Sequence, residues 1–261
     1  MNGVLGRYMP PALTVVALIV IWHLVVVVQK LPSHLLPGPE LVGRRLASGL
    51  ISKGDFWPHL RATLQATLLG FAGGSAAAVT LAFAFSELAV LRRLFFYLIV
   101  GFQAVPKVAL APLMLIWLGF GLQSKVVLVA LVCFYPVFTA TSVALESVNP
   151  DLRDMMRAAG ASRLHRLRHL DLPAVTGPIL TGLQISFGFA LIGCVVMEFV
   201  LGTEGAGYLI DNSANSLDAA TAVASMIILG VIGAAGTLAI RATRERFVFW
   251  DAGTGGVEPS R

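Results

Sequence analysis

Charged side chains are absent from five long stretches of the chain, residues 8–29, 62–86, 126–145, 172–197 and 219–240. Each stretch is close to the ~20 apolar residues that an α-helix needs to cross the hydrocarbon core of a bilayer. The pattern therefore predicts five membrane-spanning helices.

A sixth apolar stretch, residues 94–124, is less regular. It contains one charged residue, Lys107, with Pro106 before it and Pro112 after it. At about 1.5 Å per residue a straight helix of this length overshoots a core of ~30 Å, yet two spans and a turn do not fit. We expect one span to about residue 112 and then a bent, partly re-entrant segment that ends near Gly119. The six predicted spans are 8–29, 62–86, 94–115, 126–145, 173–201 and 219–240.

The composition agrees with an integral membrane protein. Apolar residues make up 57% of the chain and charged residues 13%, about half of the ~25% charged share that is typical of a soluble domain. The mean hydropathy is +0.82. Too little of the chain lies outside the spans for a separate enzyme domain, which usually needs ~100 residues. We interpret residues 1–261 as one transmembrane domain with a retained first helix, because the first apolar stretch is too long for a signal peptide.

Basic residues set the predicted orientation. Five arginines lie between Arg153 and Arg168. The arginines of the C-terminal tail are Arg241, Arg244, Arg246 and Arg261. Because positive charge marks cytoplasmic loops, both regions and both termini are predicted to be cytoplasmic, and the acidic connection 202–217 faces outward. Residues 29–61 disagree with the rule, since they would lie outside and yet are rich in lysine and arginine.

The connection between the fourth and fifth spans, residues 147–172, has the pattern of two short helices around a glycine. Asn149 is a good N-cap, and the proline and aspartate after it favour a first helical turn. We expect this helix to end at Gly160 in the left-handed conformation, and Ser162 to cap the second helix. The simpler alternative is a solvated, positively charged connection without a partner.

This connection resembles the cytoplasmic loop of permease subunits of bacterial ABC importers. That loop reads E-A-A, three residues, G, nine residues, I, one residue, L-P. The positions that match in type are Asp154, Gly160, Leu170, Leu172 and Pro173. Two methionines replace the alanine pair, and they are bulkier, although adaptable in packing.

The resemblance extends beyond this loop, to permeases of the nitrate, taurine and aliphatic sulfonate branch. The similar segments are 105–113, 116–119, 160–162, 181–183 and the acidic Glu198. What the resemblance implies is an all-α integral membrane protein with six helices, the type I importer permease fold and a cytoplasmic coupling helix.

The resemblance also implies partners. They are a second copy of the permease, two ATPase subunits and an extracytoplasmic solute-binding protein, assembled in the lipid of the bacterial inner membrane, with no nucleic acid. The chain has no Gly-Lys-Ser/Thr phosphate loop, so it is not expected to be an enzyme or to bind a cofactor. ATP and Mg are expected on the partner ATPase. The residues that the resemblance assigns to ATPase coupling are Asp154, Gly160, Ala161, Ser162, Arg163, Leu164, His165, Leu172 and Pro173.

Polar side chains within the predicted spans are candidates for a translocation pathway, because they are costly in lipid and tend to face cavities or partners. They are Gln103, Lys107, Gln184 and Glu198. Lys107 either attracts an anionic solute, extends its ammonium group to the interface, or pairs with Glu198. Gln184 either lines the pathway or joins two helices by a hydrogen bond.

The expected function is ATP-driven import of a small solute, with an anion such as a sulfonate, taurine or nitrate as the first interpretation. A pyrimidine vitamin precursor or bicarbonate is the alternative within the family. An ion-coupled secondary transporter is a third interpretation, but it usually has acidic relays at mid-membrane and an internal repeat. Only Glu198 is such an acid, and no repeat is evident in the sequence.

Overall fold

The computed structural model of the protein describes residues 2–248. Side chains are described from Leu13 onward, except those of Ala89, Leu91, Arg92, Phe96, Val100 and Leu201. The tail arginine Arg261 lies outside the described residues. Within them the chain is almost entirely helical and forms no strand, which confirms the predicted all-α class. The α-helices in chain order are α1 Asn2–Val28, α2 Pro39–Ala47, α3 Phe56–Glu87, α4 Ala89–Gln103, α5 Ala111–Leu118, α6 Leu122–Ser147, α7 Pro150–Ala158, α8 Arg163–Arg166, α9 Leu172–Leu201, α10 Ala206–Asn215 and α11 Ala219–Phe247.

Four helical stretches in residues 2–248 are long and apolar enough to cross a membrane: α3, α6, Arg163–Val200 and α11. The pair Arg93–Gln103 and Lys107–Leu118 counts as a fifth span if the two helices are taken together. The apolar part of α1, Leu13–Val28, is shorter. The total of six spans therefore stays a prediction.

The bend in the third predicted span lies earlier than expected. We predicted it after residue 112, but α4 ends at Gln103 and the two helices meet at 90° around Pro106. Pro106 has no N–H to donate and keeps the residue before it out of the helical conformation. Pro112 instead stands at the start of α5, where its missing N–H costs nothing. Of the two prolines, only Pro106 breaks a helix.

The larger compact unit, Thr63–Leu201 together with the described residues from Val231 on, contains the main apolar core. The buried side chains of this core come from α3, α6 and α9, and they include Ala78, Phe85, Val137, Phe138, Leu145 and Val175. The helices approach closely because glycines lie at the contact. A Cβ at Gly74 would stand 2.7 Å from the Cα of Ala130, and one at Gly70 would stand 2.7 Å from the carbonyl oxygen of Val126. The G-x-x-x-G pattern of α3 thus serves packing within the chain.

The smaller unit comprises the residues up to Ala62 and Gly202–Gly230. Arg45 connects the two stretches of this unit. Its Nη2 donates to Asp55 in the first stretch at 2.9 Å, and its Nε donates to Thr221 in the second at 2.7 Å. The guanidinium group also lies 4.5 Å from the ring centre of the buried Phe56. The hydrogen bond from Arg45 holds the pKa of Asp55 below its ordinary value. One basic residue of the 29–61 region thus has a structural role and a neutralising partner.

Candidate functional site

Residues 149–171 form two short helices around a turn, and we call them the connecting segment. The Asn149 side chain accepts a 2.9 Å hydrogen bond from the backbone N–H of Asp151 and caps α7. The Ser162 hydroxyl accepts one of 3.2 Å from the N–H of His165 and caps α8. Both predicted N-caps are confirmed.

The turn between α7 and α8 depends on Gly160, which has φ +77°. The N–H of Gly160 donates to the carbonyl of Arg157, and the N–H of Ala161 donates to the carbonyl of Met156, both at 2.9 Å. This pair of hydrogen bonds is a Schellman motif, which needs a residue in the left-handed conformation. Nothing lies within 4 Å of a Cβ built at Gly160, so the backbone conformation and not a lack of space requires glycine here.

Asp171 anchors the connecting segment, and it is almost fully buried. Its Oδ1 accepts two hydrogen bonds from Arg153, at 2.8 and 3.0 Å, and its Oδ2 accepts one of 3.3 Å from Arg166. Arg166 also pairs with Glu87 at the end of α3. The segment is therefore bound to α3 as well as to α9, which begins one residue after Asp171.

The sequence did not single out this ionic cluster. Arg153 and Arg166 belong to the five arginines that were used for orientation, and Asp171 lies next to the matched Leu172. The one feature of the sequence that marked Asp171 was its place directly before the apolar stretch 172–197. The partners of Asp171 depend on the fold and cannot be read from spacing.

The connecting segment also presents large apolar side chains on its surface. Leu164 is 72% exposed and Met155 61% exposed, and Leu152 is exposed beside them in the sequence. The predicted coupling residue Asp154 is exposed and pairs with Arg157 at 2.8 Å. The segment therefore exposes three large apolar side chains as well as charged ones.

His165 and His169 lie one helical turn apart, and their rings stack with centres 4.1 Å apart. His169 Nδ1 lies 3.0 Å from the backbone oxygen of His165. Within the described part of the chain, no group of three or more metal-ligating side chains occurs. This pair accordingly gives no basis for a metal site.

Glu198, one of the predicted pathway residues, lies in a buried cluster where α3, α6 and α9 meet. Its carboxylate accepts hydrogen bonds of 2.8 and 3.0 Å from the Thr63 hydroxyl and lies 3.4 Å from Lys125 Nζ. Both Glu198 and Lys125 are almost completely inaccessible to solvent. The lysine partner of Glu198 is thus Lys125 and not Lys107, which corrects one of the alternatives that the sequence left open.

Lys107 and Gln103 come together at a different place. They line a cavity of about 360 Å³ with Tyr135 and several apolar side chains. Lys107 Nζ lies 3.5 Å from the Gln103 backbone oxygen and 5.9 Å from the ring centre of Tyr135. Gln184 lies apart from this cavity, partly exposed on α9. The structure therefore brings together two of the four predicted pathway residues.

A bundle of apolar helices with a helix–glycine–helix connection before the penultimate long helix agrees with the importer permease that the sequence resembles. The sequence pattern of the family described as binding-protein-dependent transport system inner membrane component matches residues 70–248, and the chain belongs to this family. It is a transport subunit and not an enzyme, and ATP hydrolysis belongs to a partner ATPase.

Curated relatives match nearly the whole chain. The riboflavin transport system permease protein RibX of Chloroflexus aurantiacus is 33% identical over 232 residues, which are 87% of this chain and 86% of that protein. The taurine transport system permease protein TauC of Escherichia coli is 27% identical, with 91% of this chain and 88% of that protein covered. The relatives thus include the taurine branch and are named for different solutes.

A solved structure has the same fold. It is an inward-facing conformation of the MetNI methionine ABC transporter, and one of its chains matches with a TM-score of 0.56 and 18% identity. The match covers 74% of this chain and 99% of that one. It confirms the predicted type I permease fold.

Proposed function

We propose that two copies of this chain form the membrane-spanning part of an importer in the bacterial inner membrane. Two ATPase subunits bind the connecting segments, and a solute-binding protein delivers a small solute from the other side. The observation that carries the proposal is the connecting segment itself, which is exposed on one side and held by the buried Asp171 on the other. The residues proposed to contact the ATPase or to fix the segment to α9 are Asp154, Gly160, Ala161, Ser162, Arg163, Leu164, His165, Leu172 and Pro173.

The ionic cluster explains how movement of the ATPase reaches the spans. Arg153 and Arg166 tie α7 and α8 to Asp171 at the start of α9, and Arg166 ties them to Glu87 at the end of α3. Displacement of the connecting segment therefore displaces α3, α6 and α9 together, since these helices also share one core. Such a rigid group is what alternation between inward-open and outward-open states requires.

The proposed orientation places the connecting segment and both termini in the cytoplasm. The basic region 29–61 was the observation against this orientation. Its Arg45 is paired with Asp55 and bonded to Thr221, so one of the five basic side chains of this region has a structural role that does not depend on the orientation. The outward side then carries α2 and α10.

The solute proposed first is a small anion of the sulfonate or taurine kind, with nitrate as a smaller member of the same class. Gln103, Lys107 and Gln184 are proposed to lie along its path, and Glu198 to fix the helices that surround the path. A second candidate is a vitamin or its pyrimidine precursor, which the 33% identity to a riboflavin permease favours. Bicarbonate is the remaining alternative. Uptake of labelled solutes by cells that carry or lack this chain distinguishes these classes.

Site-directed labelling and crosslinking test the assembly and the orientation in one experiment. Cys133 and Cys194 are buried, so an introduced cysteine is the accessible thiol among the described residues. L164C is expected to crosslink to an ATPase subunit and to resist a membrane-impermeant thiol reagent applied from outside the cell. I51C is the matched control, since Ile51 is 83% exposed in the region proposed to face outward. Labelling of L164C from outside, or its failure to reach any ATPase in the purified complex, contradicts the proposal.

A further inference from the structure

The cavity lined by Gln103 and Lys107 combines a few polar side chains with apolar and aromatic ones, as small-molecule binding sites do. It lies between α4, the turn after Pro106 and α6, and its volume is about 360 Å³. Small-molecule sites usually range from ~300 to ~1,000 Å³. Phe134 and the partly exposed Phe102 provide aromatic walls, and aliphatic side chains extend them. The cavity is open on one side, where Leu98 and Gln103 are exposed.

The polar groups of this cavity lack strong partners in the described chain. No carboxylate of the described residues forms an ion pair with Lys107, whose Nζ has only the 3.5 Å contact to the Gln103 carbonyl and the ring of Tyr135. For the Gln103 amide and the Tyr135 hydroxyl, no hydrogen bond is found within residues 2–248. An ammonium group, an amide and a phenol are all hydrogen-bond donors. These groups lie beside apolar side chains, where a cation without a counter-ion is unfavourable in free energy.

We infer that this cavity binds an organic anion with a flat, apolar body, such as an aromatic sulfonate or carboxylate. The anionic group meets Lys107 and the donors beside it, and the flat body lies between the aromatic walls. Nitrate supplies the charge but leaves most of the cavity empty, whereas an uncharged ring supplies the body but leaves Lys107 unpaired. The inference rests on the proposed function and narrows its solute class, since the permease itself then selects among delivered solutes.

Binding of defined probes to the full-length protein in nanodiscs of neutral lipid tests the inference. Benzenesulfonate is expected to bind saturably, and nitrate and benzyl alcohol at least about tenfold more weakly, because each lacks one of the two recognised features. K107M is expected to weaken benzenesulfonate binding about tenfold or more, while K107R retains most of it. K53M is the control, since Lys53 is an exposed lysine outside the cavity. Y135F, which keeps the ring, is expected to lose less affinity than K107M.

The other outcomes reject the inference in different ways. Nitrate bound as tightly as benzenesulfonate indicates a site for small ions alone. Equal binding of benzyl alcohol, with no effect of K107M, indicates an apolar cavity without anion recognition. Displacement of benzenesulfonate by phosphatidylglycerol assigns the cavity to a lipid. None of these measurements needs an ATPase, so the inference fails or stands independently of the crosslinking test of the assembly.

Discussion

Arg153 and Asp171 lie 18 residues apart in the chain, and Nε and Nη2 of the arginine both donate to the same carboxylate oxygen, at 3.0 and 2.8 Å. The same Nη2 also donates to the backbone oxygen of Leu145 in α6, at 2.9 Å. One side chain of α7 is therefore bonded both to the end of α6 and to the residue before α9. This side chain therefore connects the end of α6, α7 and the start of α9.

Replacing Asp171 by asparagine is expected to weaken its contacts with Arg153 and Arg166. Asparagine keeps the size of the side chain but removes the charge that two arginines share, and loss of one partner of a buried ion pair costs about 3–5 kcal/mol. Because Arg153 is partly exposed, we expect a loss in the lower part of that range. Thermal unfolding of the purified protein measures the loss, and the ratio of solute uptake to ATP hydrolysis is expected to fall.

E245Q is the matched control for D171N. Glu245 pairs with Arg241 on the surface of α11, and an exposed pair of this kind contributes at most about 0.5 kcal/mol. If both variants unfold at the same temperature and transport equally well, Asp171 is not the anchor described.

Replacing Gly160 tests the turn of the connecting segment. The left-handed conformation costs most residues other than glycine about 1–2 kcal/mol, and asparagine adopts it more readily than the others. No atom lies within 4 Å of the added Cβ, so the Cβ itself meets no steric overlap. G160V is expected to hydrolyse ATP with reduced uptake in the assembled transporter, and G160N to stay close to wild type. Normal uptake by G160V is the result that counts against a coupling role.

The Lys125–Glu198 pair is open to a double-mutant cycle. K125M leaves the Glu198 carboxylate buried without its cation, and we expect a loss of about 3–5 kcal/mol. K125M combined with E198Q removes both charges, and most of that stability is expected to return. Thermal unfolding of the wild type, the two single variants and the double variant gives the coupling. Additive losses in the cycle show that the two side chains do not interact.

Local features of the site were predictable from the sequence, and distant contacts were not. Asn149, Gly160 and Ser162 were identified correctly because a helix cap depends on residues that are neighbours in the chain. The partner of Glu198 was not identified, because Lys125 stands between two apolar stretches and resembles a loop residue. In the structure α6 begins at Leu122, four residues before the predicted start of this span at residue 126, and this places Lys125 inside the helix.

Glycines 73 and 74 offer the sharpest test of the packing of α3 on α6, because they are adjacent in one helix and differ only in what they face. A Cβ at Gly74 would lie 2.7 Å from the Cα of Ala130, whereas one at Gly73 meets nothing within 4 Å. G74A must push the two backbones apart, and overpacking of this kind costs about 1–3 kcal/mol. G73A is expected to be neutral or to stabilise the protein by up to about 1 kcal/mol, through the higher helix propensity of alanine. Both substitutions change the unfolded chain in the same way, so the difference between their unfolding temperatures reports the contact alone. Equal temperatures for the two variants mean that α3 does not approach α6 at Gly74.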